Sequence, residues 1–242
     1  EIRIEKNEVE GVVVGKDLYS SDLVVCNTDI YYIYNKLLPK KYSLKQQKNS
    51  ERSSSAIIFY WGIDKIFDKL QLHNILFTQS YKNEFKHIRD GISIYEDPTI
   101  YINITSKKKK SDAPKNSENW FVMINVPYNK DQDWDKLVMK SKKDIIKKIN
   151  RVLNISIEDN IIYENVIDPR NIESETRSFK GALYGTSSNT KAAAFFRHPN
   201  FSKDIKGLYF CGGSVHPGGG IPLVLSSAKI VDELIKKDYE KK

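Results

Sequence analysis

The sequence predicts a mixed α/β fold, and three features support this prediction. Strand-like runs fill the first 26 residues, further strand-like runs flank a long amphipathic helix in the middle, and a strand, a glycine-rich loop and a helix lie between positions 207 and 242. Hydrophobic residues make up 40% and charged residues 29% of the 242 residues, which suits a chain with a buried core. No run approaches the roughly 18 apolar residues of a membrane span, and Glu1 to Glu10 alternate charge with Ile and Val, unlike a signal peptide.

The N-terminal region predicts strands followed by a short helix. Three strand-like runs open the chain, at Ile2–Ile4, 9–14 and 22–26. Asn27 or Thr28 is expected to cap a helix over 29–38, and Pro39 is expected to end it. The polar stretch 40–51 predicts a surface crossing.

The middle of the chain predicts a sheet with one long helix. Strands are expected at 56–61 (ended by Gly62), 97–104, 120–126 and 160–167. Apolar residues at i, i+3, i+4 and i+7 spacing predict an amphipathic helix over 133–153. Asp168 and Pro169 are expected to begin a turn.

The positive charge is a weak indicator of function. The net charge is +8, but Arg supplies only seven of the 39 basic residues, and nucleic-acid sites favour Arg. The sequence therefore favours a solvated Lys-rich surface, with an anionic membrane surface as the alternative, and no nucleic-acid partner is expected. Lys107–Lys110 has the same two interpretations, a solvated loop tip or a membrane contact.

The cysteines predict a reducing compartment and no metal. Cys26 and Cys211 lie far apart in apolar runs, as expected for two buried thiols. No Cys/His pair has the spacing of zinc ligands, and the four histidines do not cluster in sequence.

The C-terminal segment is the strongest candidate site. A buried strand over 207–212 leads into a loop with several glycines, and a helix starts at Ile221 and Pro222, with Val224, Ala228, Val231 and Ile235 on one stripe. A helix N-terminus behind a glycine-rich loop receives anionic or electron-rich groups such as a nucleotide or a flavin, although a tight strand-to-helix connection is the alternative. His216 is either a satisfied loop residue or a polar group beside a cofactor ring. The candidate cofactor-binding residues are Gly212, Gly213, Ser214, His216, Pro217, Gly218, Gly219, Gly220, Ile221 and Pro222.

Residues 208–222 resemble the C-terminal signature of the bacterial-type phytoene desaturase family of FAD-dependent carotenoid desaturases and isomerases. The motif reads Leu-Tyr-Phe-Cys-Gly-Gly-Ser-Val-His-Pro-Gly-Gly-Gly-Ile-Pro. The Gly-Gly-Ser-Val-His form with Leu223 is most similar to the hydroxycarotenoid 3,4-desaturase branch. Further segments that resemble the family are 10–12, 22–27, 37–39, 181–185 and 195–199.

The resemblance implies a partial FAD-binding Rossmann-like domain and a mixed-sheet substrate domain. Residues 1–39 would be returning strands of the FAD-binding domain, 40–180 the substrate domain and 181–242 the C-terminal part of the FAD-binding domain. The family's N-terminal G-x-G-x-x-G does not occur in these residues. We therefore expect a C-terminal part whose N-terminal half is missing and which does not retain FAD tightly alone.

The resemblance also implies the chemistry, which is removal of hydrogens across a C–C bond of a long polyene. Tyr184, Phe195 and Phe196 are expected to line a tunnel for the carotenoid, and the run Phe59-Tyr60-Trp61 is either lining or core. No catalytic base is named. The implied location is cytoplasmic, at the inner face of the membrane that holds the lipid substrate. A carotenoid isomerase or retinol saturase-like enzyme is the alternative, and a non-enzymatic basic module that binds a membrane or RNA ranks last.

Overall fold

The computed structural model describes residues 1–43, 50–187 and 197–240. The strands and helices in chain order are β1 (Ile2–Glu5), β2 (Glu8–Val14), β3 (Asp17–Ser20), β4 (Val24–Cys26), α1 (Ile30–Tyr32), β5 (Ser55–Ile63), β6 (His73–Leu76), α2 (Tyr81–Asp90), β7 (Ile100–Asn103), β8 (Glu118–Val126), α3 (Trp134–Leu153), β9 (Ile161–Ile167), α4 (Pro169–Thr176), β10 (Leu208–Phe210) and α5 (Ile221–Tyr239). The predicted mixed α/β class is confirmed.

The chain divides into two compact units. The first unit comprises Glu1–Ser53 and Glu173–Lys242, and the second unit comprises Ser54–Ile172. Each has its own cluster of buried apolar side chains.

The first unit contains two small sheets. β1, β2 and β3 form an antiparallel sheet in that order, while β4 pairs in parallel with β10. β3 was not predicted, because its four residues are all exposed and show no apolar alternation. The predicted strands at 22–26 and 207–212 are confirmed but shorter.

The helix after β4 begins at Ile30, one residue later than predicted. Asp29, rather than Asn27 or Thr28, is the N-cap, and its carboxylate accepts a hydrogen bond from the Tyr31 amide at 2.8 Å. The α-helical turn continues as a π-helix over Ile33–Leu37, and the chain leaves it before Pro39 as expected.

The second unit is built on one antiparallel sheet with strand order β6-β7-β8-β5-β9. Side chains alternate along β5 and β8, so that one face is buried and packs with α3, whose Ile145 and Ile149 are fully buried. The predicted helix over 133–153 is confirmed from Trp134, with Asp133 as its N-cap. β5 does not end at Gly62 as predicted, because Gly62 pairs with Asn119 and Tyr163 on both sides.

Other predictions for the second unit were incomplete or wrong. β6 and α2 lie in a region without a predicted element, and Pro169 begins α4 rather than a turn, because Asp168 accepts a hydrogen bond from the Arg170 amide and starts the helix. The strand predicted over 97–104 is shorter than expected, because only Ile100–Asn103 form β7. Lys107 is not a solvated loop residue, since its ammonium lies 2.6 Å from the buried carboxylate of Glu118.

The predicted buried stripe of the last helix, α5, is confirmed at Val224, Val231 and Ile235 but not at Ala228. Ser227 and Val231 are buried and Val224 and Ile235 are partly buried, but Ala228 is exposed. Among the residues that the structure describes, no helix combines the length and apolarity needed to cross a bilayer.

Candidate functional site

The predicted site lies in the first unit, where the carboxyl ends of two parallel strands meet. Phe210 of β10 is in register with Cys26 of β4, and the amide of Cys211 donates to the carbonyl of Cys26 at 2.9 Å. Residues 212–220, here called the glycine loop, follow β10 directly and lead into α5. Ligands of open α/β sheets bind at this edge, outside the carboxyl ends of the strands.

Two buried polar side chains fix the start of the glycine loop. The hydroxyl of Ser227 in α5 accepts a hydrogen bond from the Gly212 amide at 3.1 Å and another from Asn200 Nδ2 at 2.9 Å. Asn200 Nδ2 also lies 2.8 Å from the His216 carbonyl. Neither residue was predicted from the sequence, because Ser227 belongs to no recognisable motif and Asn200 lies one position after the motif at 195–199.

Arg197 holds Gly213, near the start of the loop, to a neighbouring segment. Its guanidinium donates to the carbonyls of Tyr184 and Gly213, each at 3.1 Å, and to that of Thr186 at 3.3 Å. Burial lowers the pKa of Arg197 below its usual value. The sequence identified Arg197 only as a member of the motif at 195–199, without a role.

Tyr184 packs against the glycine loop. A Cβ atom built on Gly219 would lie 2.3 Å from the Tyr184 ring, so only glycine fits there. Tyr184 itself remains 45% exposed. Its expected role in a tunnel stays a prediction, and Phe195 and Phe196 lie outside the described residues.

Gly220 is the candidate residue whose surroundings leave room for a ligand. It is the N-cap of α5 with φ = 100°, and a Cβ built there would meet no protein atom within 4 Å. No side chain caps the helix, and the first amides of any helix lack intrahelical acceptors. Ile221 and Pro222 in the first turn are exposed. The positive end of the α5 dipole therefore faces open space next to a backbone without side chains.

The remaining candidate residues stabilise the loop through their backbone or hydroxyl groups. His216 is exposed, its amide donates to the His198 carbonyl at 2.9 Å, and its peptide bond to Pro217 is cis. The Ser214 hydroxyl accepts a hydrogen bond from the Ile30 amide at 3.0 Å. Gly218 has φ = 134° and lies beside Arg197.

Burial shifts the pKa of two groups beneath the loop. It lowers the pKa of His198, whose Nδ1 lies 2.8 Å from the Pro199 carbonyl. It raises the pKa of Asp29, although hydrogen bonds and the Arg52 charge favour the carboxylate. A buried imidazole is held neutral, and a buried carboxyl is easier to protonate.

Both cysteines are free thiols close to the site. Burial, with a smaller effect of Cys211, raises the pKa of Cys26 to about 12, and burial also raises the pKa of Cys211. Thiols with raised pKa values are poor nucleophiles and poor metal ligands. Within the described ranges, no cluster of three His, Cys, Asp or Glu side chains is placed to hold a metal ion.

In the second unit, the aromatic run of β5 divides between the two faces of the sheet. Phe59 and Trp61 are buried in the core, so of their two interpretations the core one is confirmed. Tyr60 lies on the opposite, half-exposed face, where it contacts Phe121 at a ring distance of 5.5 Å.

Comparison with known proteins matches this chain to enzymes of carotenoid metabolism. It is 55% identical over 234 residues to a 1-hydroxycarotenoid 3,4-desaturase of Flavobacterium sp. (strain P99-3), covering 97% of this chain and 48% of that enzyme. It is 33% identical to a 4,4'-diapophytoene desaturase of Staphylococcus haemolyticus, covering 96% and 48%. By sequence, the chain is similar to carotenoid desaturases over nearly its whole length. A phytoene desaturase of Fusarium fujikuroi is 30% identical, covering 96% of this chain and 44% of that enzyme.

The chain spans about half the length of the curated carotenoid desaturases that it matches. No protein-family model matches it. Its fold is similar to that of an oxidoreductase from Methanosarcina mazei, with a TM-score of 0.58 at 14% identity, covering 96% of this chain and 48% of that structure.

Proposed function

We propose that the chain forms part of an FAD-dependent carotenoid desaturase that removes hydrogens from a C–C bond of a long polyene. The observation that carries the proposal is the open backbone at Gly220, at the positive end of α5 and at the carboxyl edge of two parallel strands. The similarity to carotenoid desaturases over nearly the whole chain supports it.

The residues present fit a flavin. The amides at the start of α5 offer donors to an electron-rich ring edge, and the missing side chain at Gly220 leaves space for it. The residues proposed to hold it are Gly212, Gly213 and Gly218 to Pro222, with His216 at the rim. The chemistry that a bound FAD supplies is two-electron oxidation.

The protein's part in this proposal is to hold the loop rigid. Arg197 turns three carbonyls toward its guanidinium, and Ser227 accepts from Gly212 behind the loop. Donors held in place before the reaction stabilise developing negative charge without reorganisation.

The second unit is proposed to supply the wall of the polyene site. The open face of its sheet carries Ile58, Tyr60, Tyr101, Phe121 and Met123, together with the polar Asn103, Asn119 and Asn125. An apolar and aromatic wall suits a hydrocarbon chain. In this proposal the first unit binds the cofactor, and the 1-hydroxycarotenoid substrate named for the Flavobacterium relative is the first one to test.

The test is expression of the complete reading frame in bacterial hosts that accumulate phytoene, lycopene or 1-hydroxylycopene. Extracted pigments are separated and measured by absorbance and mass. We expect a product that is two hydrogen atoms lighter and absorbs at longer wavelength. Isomerisation would leave the mass unchanged and saturation would raise it, so either result replaces the desaturase proposal with the corresponding alternative.

A matched pair of glycine variants tests the cofactor site. Gly220→Ala and Gly15→Ala both place a methyl group in open space at positive φ. We expect Gly220→Ala to reduce bound flavin and product by about tenfold, or about 1.4 kcal/mol, and Gly15→Ala to leave both near wild type. Equal flavin content in the two folded variants would contradict the proposed site.

A further inference from the structure

The helix α2 in the second unit and the residues beside it expose aromatic and aliphatic side chains to solvent. On the helix, Phe85 is 61% and Tyr81 50% exposed; Phe77, four residues before the helix, is 61% exposed and Ile92, just after it, 79% exposed. The rings of Phe77, Tyr81 and Phe85 follow one another at centroid distances of 6.4 and 6.1 Å. These three residues are here called the aromatic row.

The inward side of the same helix is polar. The buried carboxylate of Glu84 accepts hydrogen bonds from the Thr99 amide at 2.7 Å and the Thr99 hydroxyl at 2.8 Å. His87 Nδ1 lies 2.8 Å from the Ser93 hydroxyl. An amphipathic helix of a water-soluble fold normally buries its apolar stripe, so this orientation is the reverse of the usual one.

The aromatic row is held on a fixed support. Ser80 caps α2, and Gly91 ends it in the left-handed conformation. The buried ammonium of Lys148 in α3 donates to the Phe77 carbonyl at 2.9 Å and lies 2.9 Å from the Asp97 carboxylate. Because polar bonds already secure the helix, its exposed rings are not needed to hold it in place.

Positive charge lies beside the aromatic row. Three basic side chains are exposed on α2. Lys82 directly follows Tyr81, Lys86 directly follows Phe85, and Arg89 lies one helical turn after Phe85. Arg89 is 3.5 Å from Asp90, the exposed acidic side chain of the helix. Aromatic side chains with a basic flank are typical of helices that lie in the surface of anionic bilayers.

We propose that the aromatic row and Ile92 dock on an anionic phospholipid bilayer, with Lys82, Lys86 and Arg89 facing the lipid headgroups. The choice of a lipid partner rests on the proposed function, because a long polyene resides in membranes. In the docked protein the aromatic rings enter the bilayer interface and the basic side chains lie against lipid phosphates. An anionic bilayer therefore complements both the apolarity and the charge of this face.

The test is flotation of the protein from the complete reading frame with vesicles of phosphatidylcholine alone or mixed with phosphatidylglycerol. We expect binding to the mixed vesicles that weakens with salt. The double variant Phe77→Ser with Phe85→Ser, here called the row variant, should bind at least tenfold more weakly. Met139→Ser, which replaces another exposed apolar residue, should not change binding. Circular dichroism and the thermal midpoint establish that each variant is folded.

Two charge-reversal double variants test whether vesicle binding depends on the charge of the lipid as well as on apolar contact. Lys82→Glu with Lys86→Glu should abolish the preference for phosphatidylglycerol, and Lys136→Glu with Lys143→Glu, on the exposed side of α3, should keep it. Equal vesicle binding by the row variant and wild type, or no vesicle binding at all, overturns the proposal. If wild type were a dimer and the row variant a monomer, the face would instead bind a second copy of the chain, and the lipid proposal would be overturned.

An activity assay distinguishes this proposal from the proposed function. With substrate dispersed in detergent, the row variant should match wild type, and with substrate in vesicles it should be slower. No activity of the wild type in either form would refute the desaturase function while vesicle binding remained intact. Equal activity of variant and wild type in vesicles would refute the docking face.

Discussion

Arg197 and Gly213 are joined by a hydrogen bond of 3.1 Å from the guanidinium to the loop carbonyl. The same side chain bonds the carbonyls of Tyr184 and Thr186, so one residue ties the glycine loop to the segment at 184–186. A carbonyl turned toward Arg197 leaves the amide side of that peptide facing away from it. The loop conformation therefore depends on a side chain outside the loop.

Arg197→Ala is expected to destabilise this arrangement. Because hydrogen bonds from a charged group contribute about 1.5–3 kcal/mol each and share one side chain here, we expect the free energy of unfolding to fall by about 2–3 kcal/mol. Urea unfolding measures this. Arg3→Ala, at an exposed position of β1, is the control and should change stability by less than about 0.5 kcal/mol. A loss no larger than that of the control would show that the three bonds do not hold the loop.

Gly219→Ala is expected to force the Tyr184 ring away from the loop. The added Cβ would lie 2.3 Å from a ring carbon, and overpacking of this kind costs about 1–3 kcal/mol. In a Tyr184→Ala background the same change should cost less, because the ring is gone and only the contact with the Cβ of residue 184, at 2.9 Å, remains. A double-mutant cycle measures the coupling. Additive costs in the two backgrounds would mean that the ring is not the obstacle.

Ser227→Ala removes the acceptor for two buried donors, the Gly212 amide and Asn200 Nδ2. Leaving a buried donor without its partner costs about 1–3 kcal/mol. Ser226→Ala is the control, because Ser226 is exposed and donates only to the Pro222 carbonyl. Thermal unfolding of both variants should show a lower midpoint for Ser227→Ala alone, and equal midpoints would argue against the anchoring role.

His198 is expected to make stability depend on pH below about 6.5. Burial lowers the pKa of folded His198 below the ordinary histidine value of about 6.5. Between these two values the unfolded chain binds a proton that the folded chain does not, so stability is complete above pH 6.5 and falls as the pH decreases toward the folded pKa. His198→Gln should flatten this part of the curve, measured by urea unfolding between pH 5 and 7. The exposed His73→Gln variant is the control, and an unchanged slope in His198→Gln would contradict the prediction.

Local patterns identified the elements whose signal is contained in a short stretch of chain. α3 was predicted from its apolar spacing, a signal contained within a few residues. The strand, glycine loop and helix at the C-terminal end follow from residue types with strong backbone preferences, including Pro222 in the first turn. α2 was missed because its buried face is polar, the reverse of the pattern on which helix prediction depends.

Sequence alone determined the mixed α/β class, the long helix and the position of the glycine loop, because these depend on local spacing and backbone preference. Tertiary structure alone decided which side chains hold that loop. Arg197, Asn200 and Ser227 act on it through hydrogen bonds between segments that approach only in the folded chain. It likewise placed Phe59 in the core and Tyr60 on the open face, because strand register, and not residue type, assigns each side chain to a face of the sheet.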